Sequence, residues 1–239
     1  MKDVPMSLVE HLEELRVRLI VVLTAVTTLA CVSYAFVDRV IDLMARSAGG
    51  FVFFSPAEAF LVRLKVSLML GAFIAVPLII YEAWRFIGVA LAPSERRLVF
   101  SILPASYALF VAGAACAWLL VIPTATRFLL GFATDNLIPM MSLEAYIGFV
   151  SWLTAAFGVM FQLPILVVFL VKSGIASPDT LAAYRRHVLL GLAVLAAFFT
   201  PGPDFFSQMA LLVPPYLLFE LSLLITRWTC SIEDASVAR

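Results

Sequence analysis

Nineteen consecutive residues, Leu19 to Val37, carry no charge, and no other feature restricts the fold as much. At 1.5 Å per residue, a helix of that length covers a hydrocarbon core of roughly 30 Å. Other long apolar stretches follow, and the chain is 63% hydrophobic and only 13% charged, where a soluble domain carries about 25% charged residues. Those proportions exclude an ordinary soluble domain and predict an all-α polytopic membrane protein. The apolar run lacks a small-residue cleavage site, so the first span reads as retained rather than as a removed signal sequence. A net charge of zero and the absence of a dense basic cluster leave no case for nucleic acid. Cys31, Cys116 and Cys230 are isolated and have no metal-ligand spacing, which fits small apolar fillers.

Directly before the run stands Ser7-Leu-Val-Glu-His-Leu-Glu-Glu-Leu-Arg-Val-Arg-Leu19. Leu8, Leu12, Leu15 and Leu19 recur at helical spacing and form one stripe, which puts Glu10 and Glu14 on the opposite side. An interfacial amphipathic helix over 7–18 is predicted, with Ser7 and Glu10 spaced as a capping box and Pro5 discouraging an earlier start. Two readings of its charges stand side by side. Glu13 with Arg16, and Glu14 with Arg18, have the spacings of helix ion pairs. The sharper reading is that Glu14, at the mouth of a bundle, receives a cationic ligand, and the pattern alone favours the pairs.

Six spans are expected, over about 19–37, 66–87, 98–122, 146–171, 188–199 and 205–225, in one integral domain of residues 1–239 with a flexible tail over 229–239. Asp38 and Arg39 close the first. Ser55-Pro-Ala-Glu58 is a second capping box with proline at the first helical position, and it leads into the second span. Pro77 interrupts that span, and Glu82 and Arg85 lie near its far end, where long side chains reach the interface. Pro93 and Ser94 start the third helix, with Glu95 in its first turn, where the helix dipole favours a carboxylate. Pro123 closes that span, and 124–145 connects to the fourth. In the fourth, Gln162 is a mid-membrane amide expected to hydrogen-bond inward, with Pro164 beside it. Ser177-Pro178 starts a short helix. The fifth span offers only about 18 Å of apolar helix, and the sixth carries Pro214-Pro215 and then Glu220. The fifth and sixth helices are therefore expected to be short, in a locally thinned bilayer or against partners. Six spans put both termini on one side. Eleven Lys and Arg fall on that side, and five (Arg39, Arg46, Arg63, Lys65 and Arg127) fall on the other. The positive-inside rule then places both termini in the cytoplasm.

Catalysis finds little support. His11 and His187 are the only histidines, and neither Gly-x-Ser-x-Gly, nor His-Glu-x-x-His, nor a phosphate-cradling glycine loop is present. The chain reads as no enzyme, and no cofactor or metal is called for. Glu82, Gln162 and Glu220, polar groups in or near spans, also admit a small secondary ion or solute transporter, although no internal repeat or paired broken helices are visible.

Four groups of residues in order resemble the TatC family, the polytopic receptor subunits of the twin-arginine translocase. They are His11-Leu-Glu-Glu-Leu-Arg16 with Arg18-Leu19; Trp84-Arg-Phe-Ile-Gly88 followed by Pro93-Ser-Glu-Arg-Arg97; Phe157-Gly-Val-Met-Phe-Gln-Leu-Pro164; and Thr200-Pro-Gly-Pro-Asp-Phe-Phe-Ser-Gln208. The resemblance extends over about residues 7–228. It implies a bacterial inner-membrane protein that exports folded cargo on the proton-motive force and binds signal peptides bearing two consecutive arginines. Glu14 and Glu95 fall on the positions that contact the arginine pair, and Arg16 and Phe86 fall on the same surface. Bidentate guanidinium–carboxylate chemistry agrees, since two carboxylates on one rim read adjacent arginines better than a lysine-bearing peptide.

The resemblance also implies partners: single-span TatA and TatB subunits docking on the fifth and sixth helices, and further TatC copies. Gln208 and the face around Met209 and Leu212 are the candidate docking residues. Where the family often has a glutamate facing its inner concavity, this chain has Gln162, which hydrogen-bonds but carries no charge. Prolines usual in the first outer loop and after Phe86 are missing, and Asp204 keeps its place in the outer hairpin.

Overall fold

Ser55-Pro-Ala-Glu58 starts a helix in the way its spacing predicts. In the computed structural model the Ser55 hydroxyl accepts from the Glu58 N–H at 3.2 Å, and the Glu58 carboxylate accepts from the Phe54 N–H at 2.7 Å. The helix that follows, α3, runs Pro56–Val89. Pro77 stays inside it, as prolines do in membrane helices whose neighbours re-satisfy the freed backbone groups. The structure describes residues 8–48, 51–52, 54–89, 93–131, 141–199 and 205–237. Ser7, of the expected first capping box, lies outside them.

Among the described residues the chain is helical, apart from turns and one isolated bridge. α1 (Leu8–Ser33) passes through a 3-10 turn (Tyr34–Phe36) into α2 (Val37–Ala48). Asp38 and Arg39 therefore do not close the first span. Asp38 is engaged by Arg63 of α3 at 3.0 Å, and the Arg39 guanidinium lies 5.8 Å from the centre of the Phe36 ring. α4 (Pro93–Cys116) continues through a π turn (Ala117–Val121) into α5 (Ile122–Leu130). Pro123 does not end the helix: it follows directly on the π turn, where the Ile122 N–H reaches the Ala117 carbonyl, and α5 continues beyond it. α6 (Leu143–Met160) and α7 (Leu163–Lys172) follow, then α8 (Pro178–Ala183), α9 (Arg185–Phe199) and α10 (Phe205–Val237). Ser177 caps α8, its hydroxyl accepting from the Thr180 N–H at 3.1 Å.

Five helical stretches among the described residues are long and apolar enough to cross a membrane: Val9–Ala45, Ala57–Gly88, Phe100–Phe128, Leu143–Lys172 and Gln208–Trp228. α9, the expected fifth span, has 15 residues, or about 22 Å of helix. The sixth helix corrects the expectation of a short one: α10 has 33 residues and keeps Pro214 and Pro215 inside it. It also continues through 229–237, the stretch expected as a tail.

The chain divides into two compact units, Met1–Tyr107 with Met140–Gly148, and Ala108–Pro139 with Phe149–Arg239. In the first, α1 and α3 lie antiparallel, each step up one matched by a step down the other: His11 meets Phe86, Arg18 meets Glu82, Gly71 meets Ala30, and Arg63 meets Asp38. Contact is backbone to backbone at Gly71, where a Cβ would lie 2.5 Å from Ala30 N. Small residues at such crossings let membrane helices approach closely. Leu12, Leu15, Leu19 and Leu23 are exposed, so the leucine stripe faces away from α3. A continuous exposed apolar face of this kind suits contact with lipid or with another apolar helix. Farther along, Val52 and Ser142 form a parallel bridge. Glu58 holds it from the side, accepting from Ser142 Oγ at 3.1 Å and Glu144 N–H at 3.4 Å, and Lys65 pairs with Glu144.

In the second unit the end of α4 packs tightly on α6: Gly113 presses on the Phe157 carbonyl and the Phe161 side chain, and Gly158 faces the Phe110 ring. α10 packs along α7 and α9. One core joins Ala156, Met160 and Leu192, and another joins Val167, Phe219 and Leu223.

Candidate functional site

The site is built where the start of α1 meets the end of α3. Glu14 and Arg18 are one helical turn apart, and both lie opposite the exposed leucines, so α3 covers them. Arg18 Nη2 donates to Glu14 Oε1. Its Nη1 reaches across to Glu82 Oε2 at 2.9 Å. The Arg18 and Glu82 side chains are about 10% exposed and that of Glu14 22%, so the cluster is nearly dry, with Glu14 its open edge. Buried charges require partners, and here two carboxylates share one guanidinium. Glu14 Oε2 and Arg18 Nε are buried with no hydrogen-bond partner among the described residues.

One turn outward, His11 stacks on Phe86, ring centres 4.3 Å apart and planes 17° from parallel. Glu14 and Phe86, two of the residues expected to form one surface, thus lie at the same end of the α1–α3 pair. Arg16 is exposed on the other side of α1, and Glu13 is exposed with it. The ion pair expected from i,i+4 spacing, Glu14 with Arg18, forms. Glu13 and Arg16 form none among the described residues. Glu95 lies in the first turn of α4, but its side chain is outside the described residues, as is Asp204.

Glu82 stands out in the sequence as a polar group near a span end, but its pairing with Arg18 is not foreseen there. Its place near the end of a span suggests a side chain reaching the interface, yet it is buried against Arg18. The available signal was a carboxylate in the apolar stretch Leu78-Ile-Ile-Tyr-Glu-Ala-Trp84, where ionisable groups need an inward partner. Trp84, just beyond it, donates from its indole N–H to Ser106 Oγ at 3.1 Å, tying α3 to α4 within the first unit.

The remaining predicted polar residues belong to the second unit. Gln162 lies at the break between α6 and α7, half-buried, its amide donating to the Gly158 carbonyl at 3.5 Å. Glu220 accepts from Arg185 at 2.8 Å and from the Tyr216 hydroxyl at 3.0 Å. Gln208 donates to the Ala193 carbonyl at 3.4 Å, joining α10 to α9. Met209 is half-buried and Leu212 buried, while Val213 and Leu217 on the same helix are exposed.

These features define a multi-pass helical membrane protein with a buried two-carboxylate, one-guanidinium cluster at the junction of its first two long helices. Comparison with known proteins gives the particular family. Residues 10–214 match the family described as Sec-independent protein translocase protein (TatC). The chain is 36% identical over 232 residues to the TatC of Carboxydothermus hydrogenoformans, covering 95% of this chain and 96% of the relative. It is 34% identical over 228 residues to that of Escherichia coli, covering 92% and 88%. A crystal structure of a twin-arginine translocase receptor, TatC, superposes with a TM-score of 0.79 at 34% identity, covering 92% of this chain and 99% of that one. The chain belongs to the TatC family and is a transmembrane component of the twin-arginine protein translocase.

Proposed function

We propose that this chain is the receptor of its translocase, binding twin-arginine signal peptides through Glu14, with Glu95, Arg16 and Phe86 around it. The observation that carries the reading is Glu14, the most exposed member of the cluster, whose Oε2 has no hydrogen-bond partner among the described residues. A carboxylate oxygen in that state favours an incoming guanidinium, which supplies both the charge and the hydrogen bond that it lacks. The family and the receptor to which the chain is similar support the assignment.

Magnitudes divide the work of binding. Two charge-assisted contacts contribute about 1.5–3 kcal/mol each, and less where water screens them. Micromolar affinity requires about 8 kcal/mol. The arginines therefore select the peptide, and its apolar stretch supplies the remainder against the helix wall.

The receptor works from the cytoplasmic side of the bacterial inner membrane, with six spans and both termini inside, and feeds export driven by the proton-motive force. TatA and TatB type subunits dock on α9 and α10 around Gln208 and Met209, above the buried Leu212, and further copies of the chain join the complex. Site-specific photocrosslinking from positions 14 and 95, in inverted membranes, tests the assignment. Labelling of an Arg-Arg peptide but not of a Lys-Lys peptide is expected, with loss of binding and export in Glu14→Ala and Glu95→Ala. Equal labelling by both peptides, with export intact in both variants, refutes it.

A further inference from the structure

Arg18 stands between two carboxylates and closes on neither. Nη2 donates to Glu14 and Nη1 to Glu82, which leaves Arg18 Nε and Glu14 Oε2 buried and unpaired. These two open atoms are complementary. A guanidinium presents Nε–H and a neighbouring Nη–H as a fork, and a carboxylate takes both prongs. Glu14 and Arg18 are therefore one hydrogen bond short of a closed fork. A buried donor and a buried acceptor left unmade on two residues that already share one hydrogen bond are costly, so something holds them apart. Among the described residues, the other group on the guanidinium is Glu82, and it comes from a different helix.

We infer that Glu82 is a positioning residue: by engaging Arg18 Nη1 it keeps the Glu14–Arg18 fork open and reserves Glu14 Oε2 for a guanidinium brought by the ligand. The inference rests on the reading of Glu14 as the receptor carboxylate. Its geometry is fixed by the helices rather than by flexible side chains, because α1 and α3 touch backbone to backbone at Gly71. The arrangement also sets the charge. One guanidinium between two carboxylates leaves a formal surplus of one negative charge, which a second guanidinium cancels. In the bound state Arg18 stays with Glu82 while the ligand takes the free side of Glu14.

The test uses the full chain in lipid nanodiscs and the affinity of a fluorescent Arg-Arg signal peptide. Glu82→Met removes the acceptor at similar volume, so Arg18 closes on Glu14 and binding weakens about tenfold, the scale of a single hydrogen bond. Glu82→Gln keeps an oxygen acceptor for Nη1 and binds close to wild type. Lysine has no fork, so adding Arg18→Lys to Glu82→Met returns most of the affinity. That recovery also shows that a chain carrying the Glu82→Met substitution is folded. Unchanged binding in Glu82→Met, loss in Glu82→Gln equal to that in Glu82→Met, or failure of the double variant to recover each overturns the inference. Glu14→Gln separates it from the receptor reading: wild-type binding in that variant overturns the receptor assignment itself.

Discussion

Replacing Gly71 with alanine tests the helix pairing on which the candidate site depends. The added Cβ would meet three backbone atoms: Ala30 N at 2.5 Å, Ala30 Cα at 2.7 Å and Val26 O at 2.8 Å. Ordinary contact begins at 3.4 Å, so the shortfall is about 0.9 Å, and backbone atoms cannot rotate away as a side chain would. The two helices must separate by about that distance or bend. Overpacking of this kind costs about 1–3 kcal/mol. Against it stands the gain of about 1 kcal/mol when glycine becomes alanine inside a helix. Gly191 in α9 isolates that second term, since nothing lies within 4 Å of its added Cβ. In thermal unfolding of the full chain in lipid nanodiscs, Gly191→Ala is expected to be neutral or stabilising, and Gly71→Ala to lower the midpoint. If the two variants shift together, or Gly71→Ala is the more stable, the backbone-to-backbone contact between α1 and α3 is wrong.

Two other substitutions extend the same reasoning. Gly113→Ala presses on the Phe157 carbonyl, whereas the atoms nearest an added Gly158 Cβ belong to the Phe110 ring, which can turn aside. The first should destabilise by about 1–3 kcal/mol and the second by less than half of that, compared by unfolding midpoints. Glu58→Ala removes the acceptor of the Phe54 and Glu144 N–H groups and of Ser142 Oγ. Hydrogen exchange should then quicken at Val52, Phe54 and Leu143 while the α1–α3 amides stay protected; unchanged exchange at all three amides would show that the carboxylate does not hold the bridge.

Most of the helices were legible in the sequence because their signals are local. Ser55 with Glu58, and Ser177 with Pro178, carry their caps within four residues, and uncharged runs set the lengths of the spans. The stops were harder. Asp38, Arg39 and Pro123 read as stops by rules drawn from water, and the helical path continues through all three. Charges at a membrane helix end find partners on the next helix, as Asp38 does in Arg63, and a proline between packed neighbours interrupts less than it does alone. At the site, Glu14 and its turn-away partner Arg18 were visible as an i,i+4 pair. Their inward orientation was not, because the leucine stripe is the exposed side of α1, reversing the habit of soluble amphipathic helices. Glu82 could be flagged as a charge in an apolar stretch, but its pairing across helices depends on an antiparallel register that no single stretch encodes.

The clamp at Glu58 also has a consequence in time. Its carboxylate and the Ser142 hydroxyl that it receives are 84 positions apart. At a synthesis rate of about 5–20 residues per second, Ser142 leaves the ribosome some 4–17 s after Glu58. During that interval the first two helices can be inserted, yet the segment around Val52 has no strand to pair with. Its exposed N–H and C=O groups and the neighbouring Phe51 and Phe54 wait beside a growing chain, open to insertion factors or to proteases. The arrival of Ser142 and α6 ends that interval by supplying the partner of Val52 and the hydroxyl that Glu58 receives.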